Sequence, residues 1–209
     1  MLWLLVLSPI LLPALFLAGF HVYLLLQGNF HIVSPGTLYR SGLLSPLLLR
    51  GYLRRYGIKS IICLQGEHPD AAWYRRELEI AKAWDVKHYA IGLSARKYLS
   101  AADFDELMTL LAVCPKPVLV HCKAGADRTG LLCAAWRLVF DGASPEEACQ
   151  ELAAQYGHLP RFNKTGAMKQ SFWNYALWRE VSGLHEANHK PSVAPHPDWR
   201  HPAKLPMEV

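Results

Sequence analysis

The chain has 209 residues, of which 52% are hydrophobic and 19% charged, and its 22 basic against 17 acidic side chains leave a net charge of +5. That length accommodates one domain of ordinary size, able to bury a proper core, plus short extensions. The basic excess is modest, and no basic cluster alternates with aromatics on a single segment, so no nucleic-acid partner is expected; the charge does suit an anionic substrate.

Met1 to Leu26 contains no charged side chain and is dominated by Leu, Val, Phe and Ala, enough to span a hydrocarbon core of roughly 30 Å. Pro9 and Pro13 are tolerable in a membrane helix. A cleaved signal peptide is the competing reading. The lack of a basic n-region and of an Ala-x-Ala-like site before Phe20 favours a retained single-pass anchor, or an uncleaved signal, over residues 1–26. A membrane location is therefore expected, and Arg40, Arg50, Arg54 and Arg55 pull weakly toward a cytosolic catalytic domain.

Residues 34–183 read as that domain, with punctuation that alternates in the α/β manner. Ser45-Pro46 starts a helix that runs to Tyr56 and stops at Gly57. Ile58 to Leu64 is a strand, Ala71 to Trp84 an amphipathic helix, and Val86 to Ile91 a second strand. Ser100-Ala101-Ala102-Asp103 is a capping box before the apolar positions Phe104, Leu107, Met108 and Leu111 of a helix over 101–113. The run Pro117-Val118-Leu119-Val120 is a buried strand entering His121, followed by a helix over 129–140. Ser144-Pro145-Glu146-Glu147 opens another helix, reaching Tyr156. A last helix, near Ala167 to Val181, carries Phe172, Trp173, Tyr175 and Trp178, an aromatic set typical of a core. Residues 184–209 turn to Pro, His and mixed charge and are expected to form a disordered tail.

Cysteines at 63, 114, 122, 133 and 149 show neither metal-ligand spacing nor a paired disulfide framework. Cys133 and Cys149 fall among apolar helix positions and behave there as small hydrophobes. Cys63 should lie on a strand beside the one ending at Cys122, which leaves two readings, reversible oxidation between the two sulfurs or, the usual behaviour, an inert buried thiol.

The chemistry concentrates in His121-Cys122-Lys123-Ala124-Gly125-Ala126-Asp127-Arg128-Thr129-Gly130. A strand, a small-residue loop and a helix N-terminus turn backbone amides and the positive end of the helix dipole onto one point, which favours phosphate oxygens and thiolate alike. Cys122 sits at the mouth of that site. There its acidity rises and it becomes a resident thiolate nucleophile. Arg128 returns to the same centre with a planar fork that matches two phosphate oxygens. Thr129 can place its hydroxyl beside the sulfur and ease thiolate departure, and His121 fixes the cysteine backbone. Lys123, Ala124, Gly125, Ala126 and Gly130 complete the phosphate cradle.

This stretch resembles the signature of the cysteine-dependent protein tyrosine and dual-specificity phosphatase superfamily. Leu38-Tyr39-Arg40-Ser41-Gly42 and Tyr56-Gly57-Ile58-Lys59-Ser60-Ile61-Ile62-Cys63-Leu64 are similar to the opening of its compact bacterial dual-specificity-like branch, over roughly residues 30 to 180. The resemblance implies a central four-to-five-stranded, mostly parallel sheet with helices on both faces, a cysteinyl-phosphate intermediate, and no metal and no other cofactor. It also implies a bacterial inner membrane as the place of the anchor, although members of the branch are often exported, which leaves the side of the catalytic domain open.

Superfamily members usually supply a general acid from an aspartate about thirty residues before the nucleophile, and here that interval, Ile91 to Tyr98, holds no carboxylate. Asp103 reads as a cap. Asp127 is the better acid, since a carboxyl beside bound phosphate has its pKa raised by like charge; the alternative is that it merely caps the following helix. Lys123, with Arg96 and Lys97 on the segment where the usual acid loop lies, would put three further cations near the phosphate; the alternative for each is a solvated surface charge. The first half of the loop also matches tensin-type phosphoinositide phosphatases, with Ala126 replacing their second basic residue. Three readings follow: a phosphotyrosine or phosphoprotein phosphatase, a phosphatase of membrane lipid phosphates (phosphoinositide, phosphatidylglycerophosphate or lipid-glycan phosphate), and a phosphate-binding pseudophosphatase. A rhodanese-type sulfurtransferase is disfavoured by Arg128-Thr129-Gly130.

Overall fold

Five four-residue strands form one mixed sheet in the order β1-β2-β5-β3-β4: β1 (His31–Ser34), β2 (Leu38–Ser41), β3 (Ser60–Cys63), β4 (Lys87–Ala90) and β5 (Val118–His121). The computed structural model describes residues 26–160 and 164–188, side chains as far as 182, and isolated positions 19 and 22. The anchor expected over 1–26 and most of the expected tail therefore lie outside the described residues. No helix among the described residues is long and apolar enough to cross a membrane.

The β1–β2 pair is antiparallel, and the β2–β5, β5–β3 and β3–β4 pairs are parallel, which agrees with the expected mostly parallel sheet. Successive side chains of a strand face opposite ways, so a central parallel sheet needs a cover on each face. Val118 and Val120 of β5 and Ile62 of β3 enter one core. There they meet α3 (Ala101–Val113), α4 (Asp127–Val139) and α6 (Gly166–Asn188). Leu119 and Ile61 enter the other, against α1 (Pro46–Tyr56) and α2 (Ala72–Ala83). Register aligns Ser41, His121, Cys63 and Ala90 along the carboxyl edge of the sheet.

The local start and stop signals act as expected. Ser45 accepts from the Leu48 amide, and Gly57 ends α1 in the left-handed conformation. Ser100 and Asp103 form a reciprocal capping box on α3, as do Ser144 and Glu147 on the short helix α5 (Pro145–Ala148).

Three expectations change. The domain begins before residue 34, because β1 joins the sheet and Phe30 stacks on Tyr52 with ring centroids 3.8 Å apart. The helix expected from Ser144 to Tyr156 breaks: α5 passes into a 3-10 turn at Cys149–Leu152, Ala153 is extended, and a second 3-10 turn spans Ala154–Tyr156. The Glu151 carbonyl, which a continuous helix would use in its own ladder, instead accepts from Arg40 Nη1 at 2.9 Å. Finally, α6 runs past Gly183 to Asn188, into the stretch assigned to the tail.

Candidate active site

The loop between β5 and α4 is held from outside by its own carbonyls. Leu43 N–H donates to the Lys123 carbonyl at 3.1 Å, Asn29 Nδ2 to that of Ala124 at 2.9 Å, and Arg40 Nη2 to that of Gly125 at 2.8 Å. With three consecutive carbonyls tied outward, the amides of the loop are left to turn inward, the arrangement that binds anions. Gly125 permits the turn. Its φ is +73°, and a Cβ there would stand 2.5 Å from the Gly42 nitrogen and 2.6 Å from the Ser41 carbonyl carbon.

Arg40 is the brace beneath. Its side chain is fully buried, pairs with the Glu151 carboxylate at 2.5 Å, and lies 3.8 Å from the centroid of the Tyr156 ring. Read from sequence as one of the charges flanking a membrane span, it is instead a core residue of the site, and a buried guanidinium satisfied on several sides is what such a position demands.

Cys122 lies on the floor of the loop and is 2% exposed. Burial pushes its thiol pKa up, but the Thr129 hydroxyl, the Thr129 amide, the Arg128 guanidinium and the Gly125 amide together outweigh it, and the net shift is downward. The Thr129 hydroxyl is buried and has no other hydrogen-bond partner among the described residues. Arg128 donates from Nη1 to the carbonyls of Leu64 at 3.1 Å and Leu93 at 3.3 Å, so the guanidinium is anchored at the carboxyl edge of the sheet. Ala126 and Gly130 are buried beside it, and Lys123 and Ala124 are exposed on the rim.

His121 is buried, and its Nε2 lies 3.0 Å from Glu77 Oε1; His88 Nε2 lies 2.9 Å from the same oxygen. Burial raises the Glu77 pKa, yet the charge and hydrogen bond of His121 and those of His88 bring it down to about 2. Burial likewise lowers that of His121, but Glu77 and the neighbouring Cys63 carry it well above its ordinary value. The side chain of the residue preceding the nucleophile is thus held in the core by Glu77 and not by the Cys122 backbone expected from sequence: its Nδ1 has no hydrogen-bond partner among the described residues. Cys63, Glu77 and His121 also bring a sulfur, an oxygen and a nitrogen within 4.8 Å of one another. The 2.9 and 3.0 Å contacts of Glu77 are hydrogen-bond distances, which makes this a core network. All five cysteines are free and buried.

Asp127 is the first residue of α4, and Ala126, at the N-cap, makes no side-chain cap bond. The Asp127 carboxylate reaches a partner that sequence reasoning missed: Oδ1 lies 2.6 Å from Nδ1 of His158. Asp103 is occupied as a cap, and Asp105 Oδ1 accepts from the Tyr175 hydroxyl at 3.1 Å. Arg96 and Lys97 stand exposed on the turn after Leu93, whose carbonyl touches Arg128. Glu77 had a legible signal, a charged residue on the buried stripe of α2 with Tyr74 and Ile80; Arg40 stood in a motif of the family resemblance that did not disclose its role, and His158 had no signal.

The chain matches the family model described as DSP-PTPase phosphatase fused to NAD+ kinase over residues 39–173. The dual specificity protein phosphatase TpbA of Pseudomonas aeruginosa is 32% identical over 128 residues, 59% of this chain and 53% of the relative. The inositol diphosphatase DSP3 of Arabidopsis thaliana is 32% identical over 117 residues, 53% of this chain and 54% of the relative. The chain thus spans about half the length of these curated relatives. Among solved structures, that of P. aeruginosa TpbA superposes with a TM-score of 0.54 at 26% identity, covering 73% of this chain and 91% of that one. The catalytic domain of the PP-IP phosphatase SIW14 from S. cerevisiae gives 0.59 at 23% identity, covering 77% and 92%, a likeness of fold.

Proposed function

Because the chain belongs to the DSP-PTPase phosphatase family, within the cysteine-dependent dual-specificity phosphatases, we propose that it hydrolyses phosphomonoesters through a cysteinyl-phosphate intermediate. The observation that carries this reading is the buried Cys122 sulfur, whose pKa is lowered by donors of the loop and by Arg128. The thiolate attacks phosphorus, an S–P bond forms, and the ester P–O bond breaks. Loop amides and Arg128 hold the equatorial oxygens, where charge is spread in the transition state. Asp127 gives its proton to the leaving oxygen. Water then attacks phosphorus and passes a proton back to Asp127, and the Thr129 hydroxyl eases the departing thiolate.

The substrate we assign first is phosphotyrosine or another phosphoprotein residue, supported by the relative named a dual specificity protein phosphatase and by the solved TpbA complex with pTyr, 26% identical to this chain. A second reading, a lipid or inositol phosphate, is favoured by the exposed Lys123 on the loop rim, by Arg96 and Lys97 nearby and by the relative named an inositol diphosphatase. The apolar segment 1–26 anchors the enzyme to a membrane in both readings. Hydrolysis of para-nitrophenyl phosphate, abolished by Cys122→Ser, tests the chemistry; persistent turnover in that variant refutes it. Phosphotyrosine peptides assayed against short-chain lipid phosphates and inositol phosphates decide the substrate, the first assignment failing if peptides are the poorer class.

A further inference from the structure

We propose that His158 is a positioning residue for Asp127, donating from Nδ1 to Oδ1 so that the other carboxyl oxygen is presented to the leaving group. This rests on the phosphatase reading above and deepens it. The contact is short, 2.6 Å, and asymmetric in burial: the His158 side chain is 2% exposed and that of Asp127 16%. One carboxyl oxygen is therefore gripped from inside while part of the group stays accessible to solvent.

The turn that carries His158 is tied to the loop it serves. Gly157 adopts φ +86°, and the His158 amide donates to the Ala153 carbonyl at 3.3 Å. Asn29 Nδ2 bridges the two segments, donating at 2.9 Å both to the Ala124 carbonyl of the loop and to the Tyr156 carbonyl of the turn. Arg40 joins them again, through the Gly125 carbonyl and the face of the Tyr156 ring. The interruption of the helix at Ala153, which no capping signal in the sequence marks, brings His158 to this place.

His158 Nε2 is buried and has no partner among the described residues. A buried N–H without an acceptor is costly, so the tautomer with the proton on Nδ1 and a bare Nε2 fits the surroundings. The consequence is directional. When the Asp127 carboxyl gives its proton to the leaving oxygen as the P–O bond breaks, a carboxylate forms, and the Nδ1–H···Oδ1 bond becomes charge-assisted and stronger. The N-terminus of α4, where Asp127 is the first helical residue, favours the same anion. In the second step the held carboxylate is already aimed to take the proton of the attacking water.

The test is turnover of the full chain on an alkyl phosphate and on para-nitrophenyl phosphate, whose leaving group needs little protonation. His158→Leu is expected to lower alkyl phosphate turnover roughly 10–100-fold, the worth of one hydrogen bond to a charged group, and aryl turnover far less. His158→Asn, which keeps an N–H near the Nδ1 position, restores most of the alkyl rate, whereas His158→Gln, whose amide reaches toward the Nε2 position, does not. That pair decides even if the leucine variant fails to fold. In an Asp127→Asn background, His158→Leu adds no further selectivity. Equal losses on both substrates, or failure of asparagine to outperform glutamine, overturn the role of His158 while an alkyl-selective Asp127→Asn defect leaves the acid assignment standing. Absence of selectivity in Asp127→Asn overturns both together, and activity surviving in Cys122→Ser overturns the phosphatase mechanism itself.

Discussion

At the scale of single residues, Cys122 illustrates how a thiol can be buried and acidic at once. Burial alone raises its pKa, and four nearby donors and charges reverse the sign. The Thr129 hydroxyl leads that reversal, so Thr129→Val is expected to move the pH midpoint of iodoacetamide alkylation of Cys122 upward toward that of an ordinary thiol and to slow breakdown of the phosphoenzyme. An unchanged midpoint would show that the hydroxyl does not act on the sulfur. The Glu77–His121 pair makes a second claim at this scale. Glu77 is held at about 2, below its ordinary 4.5, so its contribution to stability is present above pH 4.5 and is lost as pH falls toward 2. His121 is held well above 6.5, so its contribution is complete below 6.5 and is lost as pH rises through the folded value. Glu77→Gln should therefore destabilise most between pH 4.5 and 6.5, by roughly 3–5 kcal/mol given that it unbalances a buried pair. Melting curves across pH check this; a deficit constant from pH 3 to 9 would contradict it. Cys122, Arg128, Thr129 and Asp127 were legible because one loop carries them in consecutive sequence. Glu77 and His158 come from elsewhere in the chain, and only the packing brings them to the loop.

At the scale of elements, the loop and α4 are set by backbone contacts that tolerate no side chain. A Cβ at Gly130 would stand 2.6 Å from the Glu151 carbonyl oxygen. Gly130→Ala must therefore push the 149–152 turn away from α4, and with it the Arg40–Glu151 brace. Gly125→Ala adds left-handed strain to contacts of 2.5 and 2.6 Å with backbone. Both variants are expected to lower the melting temperature, Gly125→Ala also reducing para-nitrophenyl phosphate turnover by more than about tenfold; a fully active Gly125→Ala would refute the tight loop. The elements with chemical punctuation, such as Ser45-Pro46 and the boxes at Ser100 and Ser144, were legible with their boundaries. β1 was not, because a four-residue edge strand with Ile32 exposed carries almost no period. Nor was the break at Ala153, since what ends that helix is a guanidinium from β2, distant in sequence, taking a carbonyl.

At the scale of the molecule, the parallel strands β2, β5, β3 and β4 all end at the same edge, and the loop is the crossing from the central strand to a helix on one face. Both cores meet there: Glu77 reaches in from α2 on one side, and α4 leaves on the other. A site at the carboxyl edge of a parallel sheet follows from that topology. The composition of residues 1–26 adds the proposed anchor. Deleting that segment is expected to abolish co-flotation of the protein with lipid vesicles while keeping para-nitrophenyl phosphate turnover within about twofold, as expected for a domain with its own core; flotation that survives the deletion would place the membrane contact elsewhere. The mechanism itself is tested most directly by mass spectrometry of the full chain after rapid acid quench during turnover of an aryl phosphate. A phosphoryl adduct on the peptide containing Cys122, absent from Cys122→Ala, is the predicted result; continued hydrolysis with that sulfur unmodified would contradict it.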